Sequence, residues 1–346
     1  ILLAAALALS ACLPVDSSLP PQALPEAEGQ AQSLEATPTS VPVPSPFPTR
    51  PLYSPGELVD YVAQTGDTLP NLAIRFNTSV AEILAANSFI PASATTMPPG
   101  MPMKIPIYYL PLWGSSFRII PDSHFVNGPA MIGFDTQQFV DSQTGWLKNY
   151  RTFASGQNRT GAQVIDLIAL NYSVSPRLLL ALLEYHAGAL SQPDMPSSVN
   201  DFVLGYRDWS HKGLYMQLGW AANFLNNGYY LYRTSRLTQI EYPDGRLERL
   251  DPWLNAATAS LHNYFNQVLP QNQYAYAIAP EGFASVYTRL FGDPWANEQP
   301  HIPGSLYQPE FILPFEPGST GAYTGAPHPG WGVGDPLPAI DFAPPL

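Results

Sequence analysis

A block of about fifty residues, 57–107, has the pattern that most constrains the fold of this chain. Residues 58–62, Leu-Val-Asp-Tyr-Val, are strand-like. A helix is predicted over Thr68–Phe76, with Asp67 as its cap and Pro70 in its first turn. A proline costs nothing there, because the first-turn N–H groups have no partner within the helix. The first half of the block therefore predicts a strand followed by a helix.

The second half of the block predicts a helix followed by a strand. Ser79–Glu82 forms a capping box, the sequence signature of a helix N-terminus. The apolar positions that follow have helical spacing: Val80, Ile83 and Leu84. Asn87 is expected to end this helix, and 103–106 reads as a return strand. The whole block therefore predicts a β-α-α-β unit.

Particular motifs in this unit resemble a LysM domain. They are Tyr61–Leu69, Leu72–Asn77, Ile83–Asn87, Pro99–Met101 and Ile105-Pro106. The resemblance covers 56–108 and implies binding of N-acetylglucosamine glycans, chiefly peptidoglycan. It places the glycan groove between the loop before the first helix and the loop after the second. The candidate glycan-binding residues are Gly66, Asp67, Thr68, Leu69, Asn87, Phe89 and Ile90.

Composition limits the partners of this 346-residue chain. The net charge is −12 and only 12% of the residues are charged. No basic patch is present, which argues against a nucleic-acid partner. Low charge with 39 prolines and 19 tyrosines is common in extracytoplasmic proteins that contact carbohydrate. A single cysteine leaves no structural role for disulfides.

The N-terminal residues predict that the protein is located at a membrane. Ile1–Leu9 is apolar, like the central region of a secretory signal, and is too short to span a bilayer. The next residues, Ser10-Ala11-Cys12, complete a sequence that resembles a bacterial lipobox. This resemblance implies that Cys12 is lipidated and anchors the protein to a membrane. We interpret 1–12 as a partial lipoprotein signal, because the chain starts at Ile, and the Pro-rich 13–55 as a disordered linker.

Residues 115–300 are predicted to form a mainly helical domain. Thr160–Gln163 is a capping box, and Ser175-Pro176 begins a helix that stops at Gly188. Further helices are expected over Leu214–Asn227, ending at Gly228, and over Leu254–Val268. Between them, Tyr242–Gly245 predicts a hairpin turn.

Two segments of this domain are similar to lysozyme-like transglycosylases, Ser173–Gly188 and Gly213–Leu218. In that family a helix ends in Glu-Ser-Gly and the glutamate is the general acid. Alignment on the glycine puts His186 at the acid position, so Glu184 remains a weak catalytic candidate and a structural hydrogen bond is its alternative role. Four aromatic residues could stack on sugars or belong to the core: Tyr215, Trp220, Tyr229 and Tyr230. We predict that this domain alone has no muramidase activity.

The C-terminal segment, 308–346, contains an imidazole and a carboxylate in a pattern suited to a metal. His328 lies in a Gly-rich loop, and Asp341 follows thirteen positions later in an apolar run. Zinc accepts nitrogen and oxygen ligands, with three protein ligands usual in catalytic sites. The segment resembles the start of zinc peptidoglycan endopeptidases of the lysostaphin and beta-lytic type. The resemblance implies His328 and Asp341 as the first two zinc ligands and a later His-x-His as the rest of the site.

The predicted fold class is therefore multidomain α+β: a LysM module, a helical lysozyme-like domain and the start of a β-rich peptidase domain. The leading functional hypothesis is an envelope-anchored, zinc-dependent hydrolase that cuts peptidoglycan cross-link peptides. No His-x-His occurs in the chain, so we expect an incomplete zinc site, a truncated peptidase domain and an inactive fragment. The alternative is a non-catalytic, peptidoglycan-binding lipoprotein.

Overall fold

The computed structural model describes residues 52–108, 114–296, 312, 315–328 and 339–343. The predicted signal segment with Cys12 and the linker before residue 52 lie outside the described residues.

The first folded part is the predicted β-α-α-β unit. Its elements are β1 (Glu57–Val62), α1 (Leu69–Phe76), α2 (Val80–Ala86) and β2 (Pro102–Ile107). Strand β1 pairs antiparallel with β2, from Glu57 opposite Ile107 to Val62 opposite Pro102. The two helices cover one face of this sheet, and their apolar side chains form a core that includes Leu72, Phe76, Ile83 and Ile105.

The helix caps of this unit follow the sequence with one correction. The capping box of Ser79 and Glu82 is present as predicted. The cap of α1 is Thr68, whose hydroxyl accepts a hydrogen bond from the Asn71 N–H at 3.3 Å. The prediction that Asp67 caps this helix is wrong. Its carboxylate is drawn inward by the Tyr61 hydroxyl, which donates to it at 2.6 Å.

The second folded part is mainly helical, as predicted. Its elements are α3 (Asp122–Phe125), α4 (Thr136–Asp141), β3 (Arg151–Ala154), β4 (Gln157–Thr160), α5 (Gly161–Tyr172), α6 (Pro176–Ala187), α7 (Leu214–Arg233), β5 (Gln239–Glu241), β6 (Leu247–Arg249), α8 (Ala256–Val268), α9 (Gln271–Ala277) and α10 (Ser285–Phe291). The pairs β3–β4 and β5–β6 are short antiparallel hairpins. Helix α6 is buried on nearly all sides and lies in the core of this domain.

Two predicted helix boundaries in this domain need correction. Helix α7 does not end at Gly228 but continues to Arg233. A Cβ atom at Gly228 would lie 3.1 Å from Cα of Ser260 on α8. The glycine therefore allows α7 and α8 to approach closely, and it is not a stop signal. Helix α8 begins at Ala256, after an Asn255 cap, and not at Leu254.

The C-terminal described residues form a separate two-stranded sheet. Strand β7 (Ala322–His328) pairs antiparallel with β8 (Ala339–Ala343), with irregularities in register along β7. Across all described residues, no helix combines the length and apolarity needed to cross a bilayer.

Candidate glycan-binding and metal-binding sites

The LysM-like unit packs against the helical domain, and Trp253 lies in the contact. The Trp253 indole Nε1 donates to the backbone carbonyl of Asp60 at 3.1 Å. Its ring packs edge-on against Phe76, with ring centroids 4.9 Å apart. The Gln64 side-chain amide donates in return to the carbonyls of Trp253 and Leu254. The two domains therefore share a packed interface.

A buried ion pair lies in this interface. The Asp67 carboxylate accepts from the Arg75 guanidinium, the Tyr61 hydroxyl at 2.6 Å and the Gln64 N–H at 2.7 Å. The side chains of Arg75 and Asp67 are only 8% and 5% exposed. The Arg75 guanidinium also lies over the Tyr232 ring of α7, 5.3 Å from its centroid. Burial is the main cause that raises the pKa of Tyr61 well above its usual range.

Arg233 at the end of α7 contacts the LysM-like unit near the loop before α1. Arg233 pairs with Asp122 of its own domain at 2.6 Å and accepts a hydrogen bond from the Asn71 side-chain amide at its backbone carbonyl. Gly66 has a φ of +82°, and a Cβ atom there would collide with the Arg233 guanidinium. One edge of the predicted glycan groove is therefore bordered by the helical domain.

The structure gives most of the predicted glycan-binding side chains a role in the fold. Leu69 and Ile90 are buried in the core, and Thr68 caps α1. The buried Asn87 amide bridges Ile83 and Lys104: its Nδ2 donates to their carbonyls at 2.7 and 2.6 Å, and its Oδ1 accepts from the Lys104 N–H at 2.9 Å.

Phe89 is the exception among these candidates. Its side chain is 62% exposed on the loop after α2. The two loops of the groove are tied together, since the Leu69 N–H donates to the Thr95 carbonyl at 3.0 Å and the Met97 N–H to the Asp67 carbonyl at 2.9 Å. The two predicted loops are therefore held together, and Phe89 is an exposed aromatic ring on one of them.

In the helical domain, the Glu184 carboxylate has structural partners. It accepts from the backbone N–H groups of Leu190 at 2.8 Å and Ser191 at 3.2 Å, and Arg289 lies 3.5 Å away. Its side chain is 5% exposed. These contacts match the alternative role from the sequence, a structural hydrogen bond that holds the loop after α6.

His186 lies at the end of α6 among aromatic rings. Its Nε2 is 3.2 Å from the Tyr264 hydroxyl, and burial lowers its pKa to about 4. The ring is therefore neutral near pH 7. Of the aromatic candidates, Tyr229 is buried in the core and Tyr230 is 64% exposed, while Trp220 stacks on Tyr206 at 3.8 Å. Tyr215 is partly buried against the same core.

The backbone brings the two candidate zinc ligands to one hairpin. His328 pairs with Ala339, and Asp341 pairs with Gly325. The candidates therefore occupy paired strands of one sheet. Among the residues that the structure describes, no group of three metal-ligating side chains comes together.

The interface residues Arg75 and Trp253 were not singled out from the sequence. Arg75 carries a weak signal, because it lies in an otherwise apolar part of α1. Trp253 carries none, since it contacts residues about 190 positions earlier in the chain.

Two protein-family models match the chain. The model described as the LysM domain matches residues 61–106. The model described as the N-terminal domain of LasA matches residues 118–303, more than half of the chain. The chain belongs to the family of the LasA N-terminal domain. Neither the comparison with curated proteins nor that with solved structures found a match.

The two domains agree with an extracytoplasmic, cell-wall-associated protein. LysM domains bind peptidoglycan and other N-acetylglucosamine glycans, and the LasA match indicates a cell-wall hydrolase family. The more specific likeness of the helical domain to lysozyme-like transglycosylases stays a prediction.

Proposed function

We propose that this chain is the wall-binding part of a zinc-dependent peptidoglycan endopeptidase. The observation that carries the proposal is the presence of both a LysM domain and a LasA N-terminal domain in one chain. LasA is a staphylolytic metallopeptidase family, which makes peptide cross-links of the wall the natural substrate class. The LysM domain holds the enzyme on the glycan, and Cys12 holds it at the membrane through a lipid.

In this proposal His328 and Asp341 are the first two ligands of the zinc ion. An imidazole and a carboxylate suit zinc, and their place on paired strands supports the assignment. When bound, zinc polarises a scissile carbonyl and supplies a nucleophilic water near neutral pH. Two ligands hold the ion weakly, and the resemblance assigns the third ligand and the base to a later His-x-His.

Glycan binding is tested by sedimentation of the chain with purified peptidoglycan, in competition with chitohexaose. The variant Phe89→Ala removes the exposed ring of the groove, and we expect it to weaken binding about three- to tenfold. Phe153→Ala is the matched control, because Phe153 is 68% exposed but lies in the helical domain. Unchanged binding of both variants would remove Phe89 from the groove, and no binding by the unaltered chain would refute wall binding.

The hydrolase part is tested on the parent protein by zymography with and without a chelator. Clearing of the wall that is lost with chelator, restored by zinc and abolished by His328→Ala supports the proposal. Wall binding without clearing supports the non-catalytic alternative. The endopeptidase assignment fails if about a hundred further codons of the gene encode no His-x-His.

A further inference from the structure

A cleft of about 340 Å³ opens between the LysM domain and the helical domain. This volume lies in the range of small-ligand sites, which often form at domain interfaces. The cleft is distinct from the groove with Phe89. Its lining includes Asp60, Val62 and Gln64 of the LysM domain and Ser116, Arg118 and Trp253 of the helical domain.

Arg118 gives the cleft a positive end. Its guanidinium lies over the Trp295 ring, with Cζ 4.6 Å from the ring centroid, and its side chain is exposed. Within the described part of the chain, no carboxylate pairs with it. A guanidinium can contact an aromatic ring through its face and bind a carboxylate in a bidentate manner through its N–H groups. An unpaired arginine is notable in a chain with a net charge of −12.

The LysM wall of the cleft has the opposite charge. The Asp60 side chain is 86% exposed and pairs with Lys104, which is itself 52% exposed. Such an exposed pair is weak and can exchange its partner. The lining also includes apolar residues, Trp253 and the exposed Val62. The Trp253 ring is held in place by its hydrogen bond to the Asp60 carbonyl.

We propose that this cleft binds a short zwitterionic peptide, the stem peptide of peptidoglycan. The peptide carboxylate pairs with Arg118, its free side-chain amine with Asp60, and its methyl groups lie on Trp253. A neutral N-acetylated sugar would leave both charged groups without a complement, which favours peptide over glycan. The inference rests on the proposed action at the cell wall and adds the peptide as a second wall component that the chain recognises.

Calorimetric titration of the full chain tests this proposal. The probes are a synthetic stem tetrapeptide with a free C-terminal carboxylate and the same peptide as its C-terminal amide. We expect the amide to bind about tenfold or more weakly, because it loses a charge-assisted pair. Arg118→Ala should weaken the free peptide by a similar factor and remove the difference between the two probes. Arg207→Ala, an exposed arginine outside the cleft, is the matched control and should change nothing.

A second variant tests the other end of the cleft. Asp60→Asn should weaken a peptide with a free amine several-fold but not its N-acetylated form. Equal affinity of the carboxylate and amide probes, or an unchanged affinity in Arg118→Ala, would overturn the proposal. Loss of chitohexaose binding in Arg118→Ala would also overturn it, by making the cleft a glycan site. If the peptide binds as expected while the chain fails to sediment with peptidoglycan, the cleft stands and the proposed wall binding does not.

Discussion

Replacement of Asp67 by asparagine should loosen the LysM domain strongly. The change preserves shape but removes the negative charge that the buried Arg75 guanidinium contacts. Breaking a buried ion pair by removing one partner costs about 3–5 kcal/mol, because the other charge stays buried without compensation. That is a large part of the 5–15 kcal/mol that typically separates folded from unfolded domains.

Hydrogen exchange followed by mass spectrometry measures this loss without assuming that both domains unfold together. Amide exchange in β2 reports the opening of the LysM domain. A loss of about 3–5 kcal/mol corresponds to roughly a hundredfold or greater acceleration of this exchange. Peptides from α6, in the core of the other domain, should change far less.

A double-mutant cycle separates the interaction energy of the Asp67–Arg75 pair from the cost of burying each charge. Replacing the pair by apolar residues, Asp67→Leu with Arg75→Met, should recover much of the stability lost in Asp67→Leu alone. Asp60→Asn is the control, because its exposed pair with Lys104 is worth less than about 1 kcal/mol. An exchange rate for Asp67→Asn within a few-fold of the unaltered protein would refute this account of the interface.

Three further results are expected. Burial lowers the pKa of His262 to about 3 and of His186 to about 4, so both histidines take up protons when the protein unfolds below about pH 6.5. The free energy of unfolding should therefore fall by about 1.4 kcal/mol per pH unit per histidine as the pH drops from about 6.5 towards 4. In melting curves measured from pH 7 to pH 4, the variant His262→Gln should show a smaller dependence of stability on pH. In urea titrations, Gly228→Val should destabilise the helical domain by about 1–3 kcal/mol through crowding against α8, while Gly219→Ala, with no atom closer than 3.8 Å to the added carbon, should be neutral or stabilising. Glu184→Gln should lower the melting temperature, because it weakens the hydrogen bonds to the loop after α6, and it should leave sedimentation with peptidoglycan unchanged. The structural role of Glu184 would be contradicted if the unaltered chain released reducing or anhydro-sugar ends and this variant did not.

Local sequence signals predicted most of the secondary structure. The capping boxes at Ser79 and Thr160 each begin a helix, and Gly188 ends α6 in the left-handed conformation that a glycine adopts without strain. These signals involve residues within four positions of each other, so they are readable without the tertiary fold. The prediction for Gly228 failed because Ser260, on another helix, determines the role of the glycine. The prediction for Asp67 failed because Tyr61 and Arg75, six and eight positions away, take its carboxylate.

The Asp67 case shows the limit for the site as well. An aspartate before a helix is a normal cap, and nothing local reveals that Arg75 and Tyr61 compete for its carboxylate. The LysM resemblance predicts which loops form the groove, but it could not reveal that Arg233 borders Gly66. That contact joins residues more than 160 positions apart, and only the packed interface brings them together.

Apolar and polar contacts contribute differently to the interface between the LysM domain and the helical domain. Trp253 against Phe76 removes aromatic surface from water, which drives association but tolerates rotation. The directed bonds of Gln64 and Asn71 to backbone carbonyls of the other domain are satisfied in one orientation only. The docked LysM domain therefore has a defined orientation. The two walls of the cleft with Arg118 and Asp60 belong to the two domains, so this fixed orientation also sets the width of the cleft. Disrupting the docking should consequently affect peptide binding in the cleft more than glycan binding in the LysM groove.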